Sequence, residues 1–345
     1  MPYIRAIQRT PLGTLGGMHK RKNSVELASE LASSLASNAV PDTFVLGIAR
    51  GDGLPSNPAR QVCRNCNFPS SANALTVLEG ESAGFRALAL CINMLEAGDG
   101  CALAIAAMSI SALPYLLPDA RRGCRLGESI AIDPLLAGDA PAPIGRRTDR
   151  HVEWHENAAS ETQKNHRLGN FKEEIHGFGG DEFLNDGQAS RYAPNLSQIS
   201  GTEHPMAPLA EGACGVLLER RPCNHALAQI LSLQITPDID GSGRAALKAL
   251  HEASAFDPLQ ADRIEVVDPC ATHPLHFMES AGLGQTDRIN PKGGALAMGY
   301  VPGAAGLRAL TALVHGLSPG QTGLCFQYGD GWSAGALVSR LKGFC

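Results

Sequence analysis

The sequence lacks any apolar run of membrane-spanning length; the stretches that come closest are broken by Asp, Glu, Gly or Pro. It also lacks an excess of positive charge. Lys and Arg number 29 against 34 Asp and Glu, a net charge of -5. That balance excludes a broad basic field for nucleic acid. The opening "MPYIRAIQRTPLGTLGG" has no apolar core and no cleavage site of the secretory kind, so a cytoplasmic location is expected. The ten cysteines have no regular spacing and read as small buried hydrophobes, not disulfides. What is present is ordinary for a soluble enzyme-sized chain: 345 residues, 44% hydrophobic and 18% charged. The length suits one large domain or two smaller ones sharing a core.

The two halves of the chain echo each other. Residues 82–90 read "SAGFRALAL" and residues 305–312 read "AGLRALTA", the second preceded by "GYVPGA". Both are small residues, a glycine, an apolar residue, then Arg-Ala-Leu, and both open a helix by their apolar spacing. Duplication of one α/β unit accounts for this, with the two glycine turns facing each other. Around them, residues 19–38 read as a polar start followed by an amphipathic helix, 43–49 as a strand, and 57–68 as a helix opening with Asn before Pro. Periodic apolar structure resumes at 211–220, 230–235 and 243–250. The stretch 117–200 is rich in Pro, Gly, charge and His and reads as an insertion. Alternating strands and helices make the core α/β.

A series of motifs in consistent order carries a family likeness. "RTPLGTLGG" (9–17), "NPARQ" (57–61), "MSISALPYLLPDARRGCRLGE" (108–128), "GNFKEEI" (169–175), "DEF" (181–183), "EGACGVLLE" (211–219), "NPKGGALAMGYVPGAAGLRAL" (290–310) and "YGDGWSAGALV" (328–338) span nearly the whole chain. In these segments the protein resembles the thiolase family. The resemblance implies a five-layered αβαβα fold of two similar halves with an inserted loop domain. The expected division is 1–116 with 191–225 for the N-terminal half, 117–190 for the loop domain and 226–345 for the C-terminal half. It further implies dimers or tetramers that act on acyl-CoA thioesters, with coenzyme A thioester as substrate and no permanently bound cofactor or metal.

At the reacting positions this sequence departs from the family. Thiolase chemistry uses a Cys thiolate at a helix start, a His that activates it and a second Cys that moves the substrate α-proton. The family's Val-Cys-Gly-Ser-Gly stretch corresponds here to Gly80-Glu81-Ser82-Ala83-Gly84, so Glu81 stands at the nucleophile. The Gly-His-Pro triplet corresponds to Gly299-Tyr300-Val301, and the last Cys to Gln327, with Cys325 two residues away. The Asn-Glu-Ala-Phe motif corresponds to Val267-Asp268-Pro269-Cys270, leaving only an acidic residue. An acyl group on a carboxylate would be an anhydride, which water destroys, so ping-pong acyl transfer is disfavoured. Two readings of Glu81 follow. It is an anion stabilised by the helix N-terminus by about 0.3–1 kcal/mol, or it is a general base opposite Tyr300 as donor. In either case a helix start favours the ionised form at neutral pH, unless burial outweighs the dipole and local hydrogen bonds.

Other candidates are weaker. His273, with His276 nearby, follows the degraded Asn-Glu motif and could reach the cleft with Asp268 or Gln327. His151 matches a family His near the CoA-covering loop; Ser232 and Arg244 are candidates for the pantetheine arm and a CoA phosphate. Cys63-Arg-Asn-Cys66 and the pair His151/His155 lack further ligands, so no metal site is expected. Two functions stay open. One is an enzyme acting on acyl-CoA or acyl-carrier thioesters with a rebuilt Glu/Tyr site: aldol chemistry, decarboxylation, hydrolysis or acyl transfer without a ping-pong intermediate. The other is a non-catalytic thiolase-like subunit. The expected assembly is a homodimer, or a heteromer with a thiolase-like or OB-fold/zinc-ribbon protein.

Overall fold

The computed structural model describes residues 1–37, 39–117, 120, 149–176, 181–182, 206–238, 241–284, 287–329 and 331–342. Most of the segment 117–190 lies outside these. The elements run β1 (Tyr3–Arg9), α1 (Ser24–Leu35), β2 (Thr43–Ile48), α2 (Pro58–Asn65), β3 (Asn73–Leu78), α3 (Ala83–Ala97) and β4 (Cys101–Met108). Then come α4 (Asp149–Arg167), β5 (Gly212–Glu219), β6 (Ala228–Asp238), α5 (Arg244–Ser254), β7 (Arg263–Val266) and α6 (Thr272–Ala281). The chain continues with α7 (Ala295–Met298), α8 (Ala305–Gly316), β8 (Thr322–Gly329) and β9 (Gly331–Arg340).

The strand order β3-β2-β4-β5-β1-β6-β9-β8-β7 contains the duplication. In the first half β2–β4 is parallel, and β4–β5 and β5–β1 are antiparallel. In the second half β7–β8 is parallel, and β8–β9 and β9–β6 are antiparallel. The halves therefore match strand for strand, except that the counterpart of β3 is reduced to the single bridge Ile264–Ile289. Only two residue pairs, Tyr3–Gln229 and Ile4–Ala228, join the half-sheets along β1 and β6.

Helices complete five layers. α1 and α2 cover one face of the first half-sheet, and α5 covers the outer face of the second beside α6. α3 and α8 fill the middle, each packed on its own half-sheet and on the other. Local chemistry explains the helix starts. Asn23 accepts from the Glu26 amide while Glu26 reaches back to the Asn23 amide, a capping box. Asn57 accepts from the Arg60 amide, with Pro58 at the first helical position. α4 is the unexpected element. Its sequence is polar and it docks through Trp154, Ala158 and Thr162, four residues apart on one face.

The middle layer is held by glycine. The Gly84 amide donates to the Gly303 carbonyl at 2.9 Å, across the two halves. A Cβ on Gly84 would lie 2.7 Å from that oxygen, and one on Gly306 would lie 2.5 Å from the Phe85 ring. Neither helix could approach the other with a side chain at those points.

A buried ion cluster ties the ends of the motif segments together. Arg9, fully buried, makes two parallel bonds to Asp181, at 2.7 and 2.9 Å, and its Nε lies 3.6 Å from Glu174. Glu174 also takes Lys292 at 2.5 Å, and both cations lie over the Phe171 ring. Such a cluster stabilises only while it is complete, since a survivor is left charged and unpaired. Replacing Arg9 by Met should therefore cost about 3–5 kcal/mol. Urea unfolding of the variant beside the wild type measures it.

Candidate active site

Glu81 sits in a short 3₁₀ turn, Gly80–Ser82, between β3 and α3. Gly80 at φ 51° makes that turn possible. No side chain caps either this turn or α3, and the Glu81 carboxyl faces the Gly303 backbone N–H of the other half, which favours its charged form. The reading of Glu81 as a capping anion is thus corrected. Its partner was within reach of the internal echo, which places Gly303 three residues before Gly306 as Glu81 stands three before Gly84.

Gln327 on β8 donates from Nε2 to the Glu81 carbonyl at 3.0 Å. That bond fixes which way the amide faces. Its Oε1 then lies toward α8, 2.5 Å from where a Gly306 Cβ would be. Glu81 Oε2 and Gln327 Oε1 are both buried without a hydrogen-bond partner. The site therefore presents unfilled acceptors, and a proton on Glu81 removes one of them. Burial pushes the Glu81 carboxyl up from 4.5 to about 8, against the Gly303 N–H that lowers it. At about 1.36 kcal/mol per pH unit, that desolvation outweighs a helix-terminus effect of about 0.3–1 kcal/mol. The expected ionised base is, in the resting site at neutral pH, mainly the neutral acid.

Tyr300 follows α7 and Gly299 in the same segment as Gly303, and is 1% exposed. Its amide donates to the Pro208 carbonyl and its carbonyl accepts from Ala210, both at 2.8 Å. Asp268 departs from expectation. It is fully buried and both oxygens turn to the first amides of α7, Ala295 at 2.7 Å and Leu296 at 3.4 Å. Burial raises it to about 7, opposed first by the Arg308 charge.

His273 is also excluded from the cleft. Neighbouring side chains on a strand point to opposite faces. Gln327 faces the central layer, so Tyr328 faces outward, and the His273 ring lies 5.3 Å from the Tyr328 ring on that outer side. Burial, then the neighbouring His276, lowers His273 from 6.5 to about 3, so it stays neutral. Ser232 is fully buried within β6, where it accepts from the Gln234 side chain at 3.2 Å. Arg244 is exposed at the start of α5 in an outer layer, with Nε bonded to the Ser280 carbonyl at 3.2 Å. The His151 backbone belongs to α4; its side chain lies outside the described residues. Cys325 bonds the Gly306 carbonyl at 3.6 Å, and burial raises its thiol far above the usual range. It supplies no thiolate.

Comparison with known proteins bears on this architecture. A family model, "Thiolase, N-terminal domain", matches residues 3–144. The acetyl-CoA acetyltransferase of Chromobacterium violaceum is 26% identical over 98% of this chain and 99% of its own length. That of Cupriavidus necator is 24% identical over 98% of each. The crystal structure of the Acat5 thiolase from Ascaris suum in complex with coenzyme A superposes with a TM-score of 0.84 at 18% identity, covering 99% of this chain and 100% of that one. The chain thus matches the thiolase N-terminal domain over residues 3–144 and has the fold of a thiolase. Its thiolase motifs are spent largely on architecture: Arg9, Glu174, Asp181 and Lys292 come from four of them and meet in the ion cluster.

The Glu81 proton can be measured. Between about 4.5 and about 8 the folded chain holds a proton that the unfolded chain releases. Glu81 should therefore favour folding fully below pH 4.5, and that advantage should be lost as pH rises through 8. Carbon-13 NMR of labelled glutamate should show one carboxyl titrating near 8 that is missing in Glu81→Gln. Urea unfolding should show the variant gaining on the wild type across the same pH window.

Proposed function

We propose that this protein binds acyl-CoA thioesters and acts on them by proton transfer at Glu81, not by acyl transfer through a covalent enzyme intermediate. The observation that carries the reading is the Glu81 carboxyl at the entrance to α3, held beside Gln327 and the Gly303 amide and pushed up to about 8. The resemblance puts this residue at the thiolase nucleophile, and the relatives' names attach to acetyl-CoA chemistry. The fold neighbour was solved with coenzyme A bound.

A carboxyl near neutral pKa works in both directions. As the acid, Glu81 donates its proton to the α-carbon of a thioester enolate, as formed by carbon–carbon cleavage or loss of carbon dioxide. As the carboxylate left behind, it takes a proton from the next substrate or from water. The Gly303 N–H and the Gln327 amide hold the group in place through both states. Tyr300, where the family has His, belongs to the buried central cluster with Phe85 and Cys325 and is assigned as the donor to developing charge. Aldol cleavage or formation, decarboxylation and hydrolysis fit this site better than thiolysis.

The second reading is a thiolase-like subunit without chemistry of its own. It is favoured by Asp268 and His273, which are turned away from Glu81 and leave the reacting set small. Under either reading the chain assembles through β3. Among the described residues that strand ends the sheet, pairs only with β2, and carries Leu75 and Leu78 at 41% and 62% exposure.

Two outcomes are expected. Glu81→Gln should keep acyl-CoA binding and lower turnover by about 100-fold or more, the scale of a lost general acid or base. Glu81→Cys should not restore thiolysis. Isothermal titration and product analysis over a panel of acyl-CoA and 3-hydroxyacyl-CoA thioesters read both; binding without turnover of any of them points to the subunit. Light scattering should give a dimer or larger, and Leu78→Lys should shift it toward monomer.

A further inference from the structure

We infer that Asp268 is a positioning residue for Tyr300, acting through the short helix α7; the inference rests on the assignment of Tyr300 to the reacting site. α7 has four residues, Ala295–Met298, too few to hold a helix alone. Its first amides need acceptors, and Gly294 before it has no side chain to offer one. Asp268, from the connection between β7 and α6, supplies both bonds, to Ala295 and Leu296. The fit is close: Gly294 has φ 75°, and a Cβ there would lie 2.3 Å from Asp268 Oδ2. The carboxyl occupies the place where a residue with a side chain would put it.

The rest of the mount is equally specific. Asn290 accepts from the Val266 amide and donates to the Val266 carbonyl, at 2.8 and 2.9 Å. A Cβ on Gly293 would lie 2.4 Å from the Ala158 carbonyl on α4. α7 then closes with the Gly299 amide on the Ala295 carbonyl at 2.8 Å, and Tyr300 is next in the chain. Tyr300 is thus held on one side by the backbone of Pro208 and Ala210, and on the other by a helix whose start depends on one carboxyl. The charged groups that face Asp268 are Arg308 on α8, which favours its ionised form, and Glu265 on β7, which opposes it. Arg308 is 1% exposed and none of its three guanidinium nitrogens has a hydrogen-bond partner, so it acts on Asp268 through space.

Asp268→Asn tests the relay. The side chain keeps its shape and one acceptor, but its NH₂ meets an amide N–H where an oxygen stood. Hydrogen exchange should rise about 10-fold or more in the 294–300 peptide, the scale of one lost bond to a charged group, and stay unchanged in α1. With 3-fluorotyrosine incorporated, the fluorine line missing in Tyr300→Phe should move in Asp268→Asn, while the other tyrosine lines stay. Turnover should fall with little change in KM, and Asp268→Asn/Tyr300→Phe should be no worse than Tyr300→Phe. An unmoved Tyr300 line, or additive losses in the double variant, overturns the relay. A moved line with turnover indifferent to Tyr300→Phe keeps the structural coupling and overturns the assignment of Tyr300 to the reaction.

Discussion

The approach of α3 to α8 at Gly84 and Gly303 is the constraint on which the site depends. The 2.9 Å bond between them brings the start of one helix against the turn that opens the other. Each half contributes one part of the proposed site to this seam. The first brings Glu81, and the second brings the Gly303 amide, Gln327 and Tyr300. A half alone would carry none of this chemistry. The duplication evident in strand order is therefore what makes the site, and the ion cluster of Arg9, Asp181, Glu174 and Lys292 locks surrounding segments around it.

The same closeness explains why Glu81 behaves against its position. A helix start draws negative charge toward it, but only while water or local amides complete the solvation. Here the opposing helix shields the carboxyl from water and leaves a single backbone N–H facing it. Tight packing between halves converts a residue that would be an anion on an exposed helix into a reservoir for one proton. Cys325, on the same inner face of β8, is affected in the same direction, which is why its proximity to Gln327 gives no nucleophile.

The layers and element order were legible because they rest on local signals: the capping box at Asn23, Asn-Pro at 57–58, apolar strands, and glycines at the two helix starts. The pairing of Glu81 with Gln327 was legible only through family position. What escaped is tertiary. Asp268 is acidic in the family's acidic place, yet its partners are amides some thirty residues later, and no spacing encodes that. His273 follows Asp268 closely in sequence but enters α6 on the far side of the half-sheet. α4 carries few apolar residues, and its docking face of Trp154, Ala158 and Thr162 shows only once the 290–294 segment lies against it. Ser232 looked available because a hydroxyl in a strand reads the same whether the strand faces a cleft or a core.

The one place where the halves differ in strand count sets how copies of the chain can meet. The open side of β7 is used up: Ile264 exchanges both backbone bonds with Arg288 and Asn290, and Val266 gives both of its own to the Asn290 side chain. Among the described residues, β3 has no such cover from a further strand. Among the described residues, each molecule therefore offers one extendable border and not two. A molecule with two would add neighbours at either end and grow into a ribbon. With one, assembly through β3, as proposed above, would end at a pair.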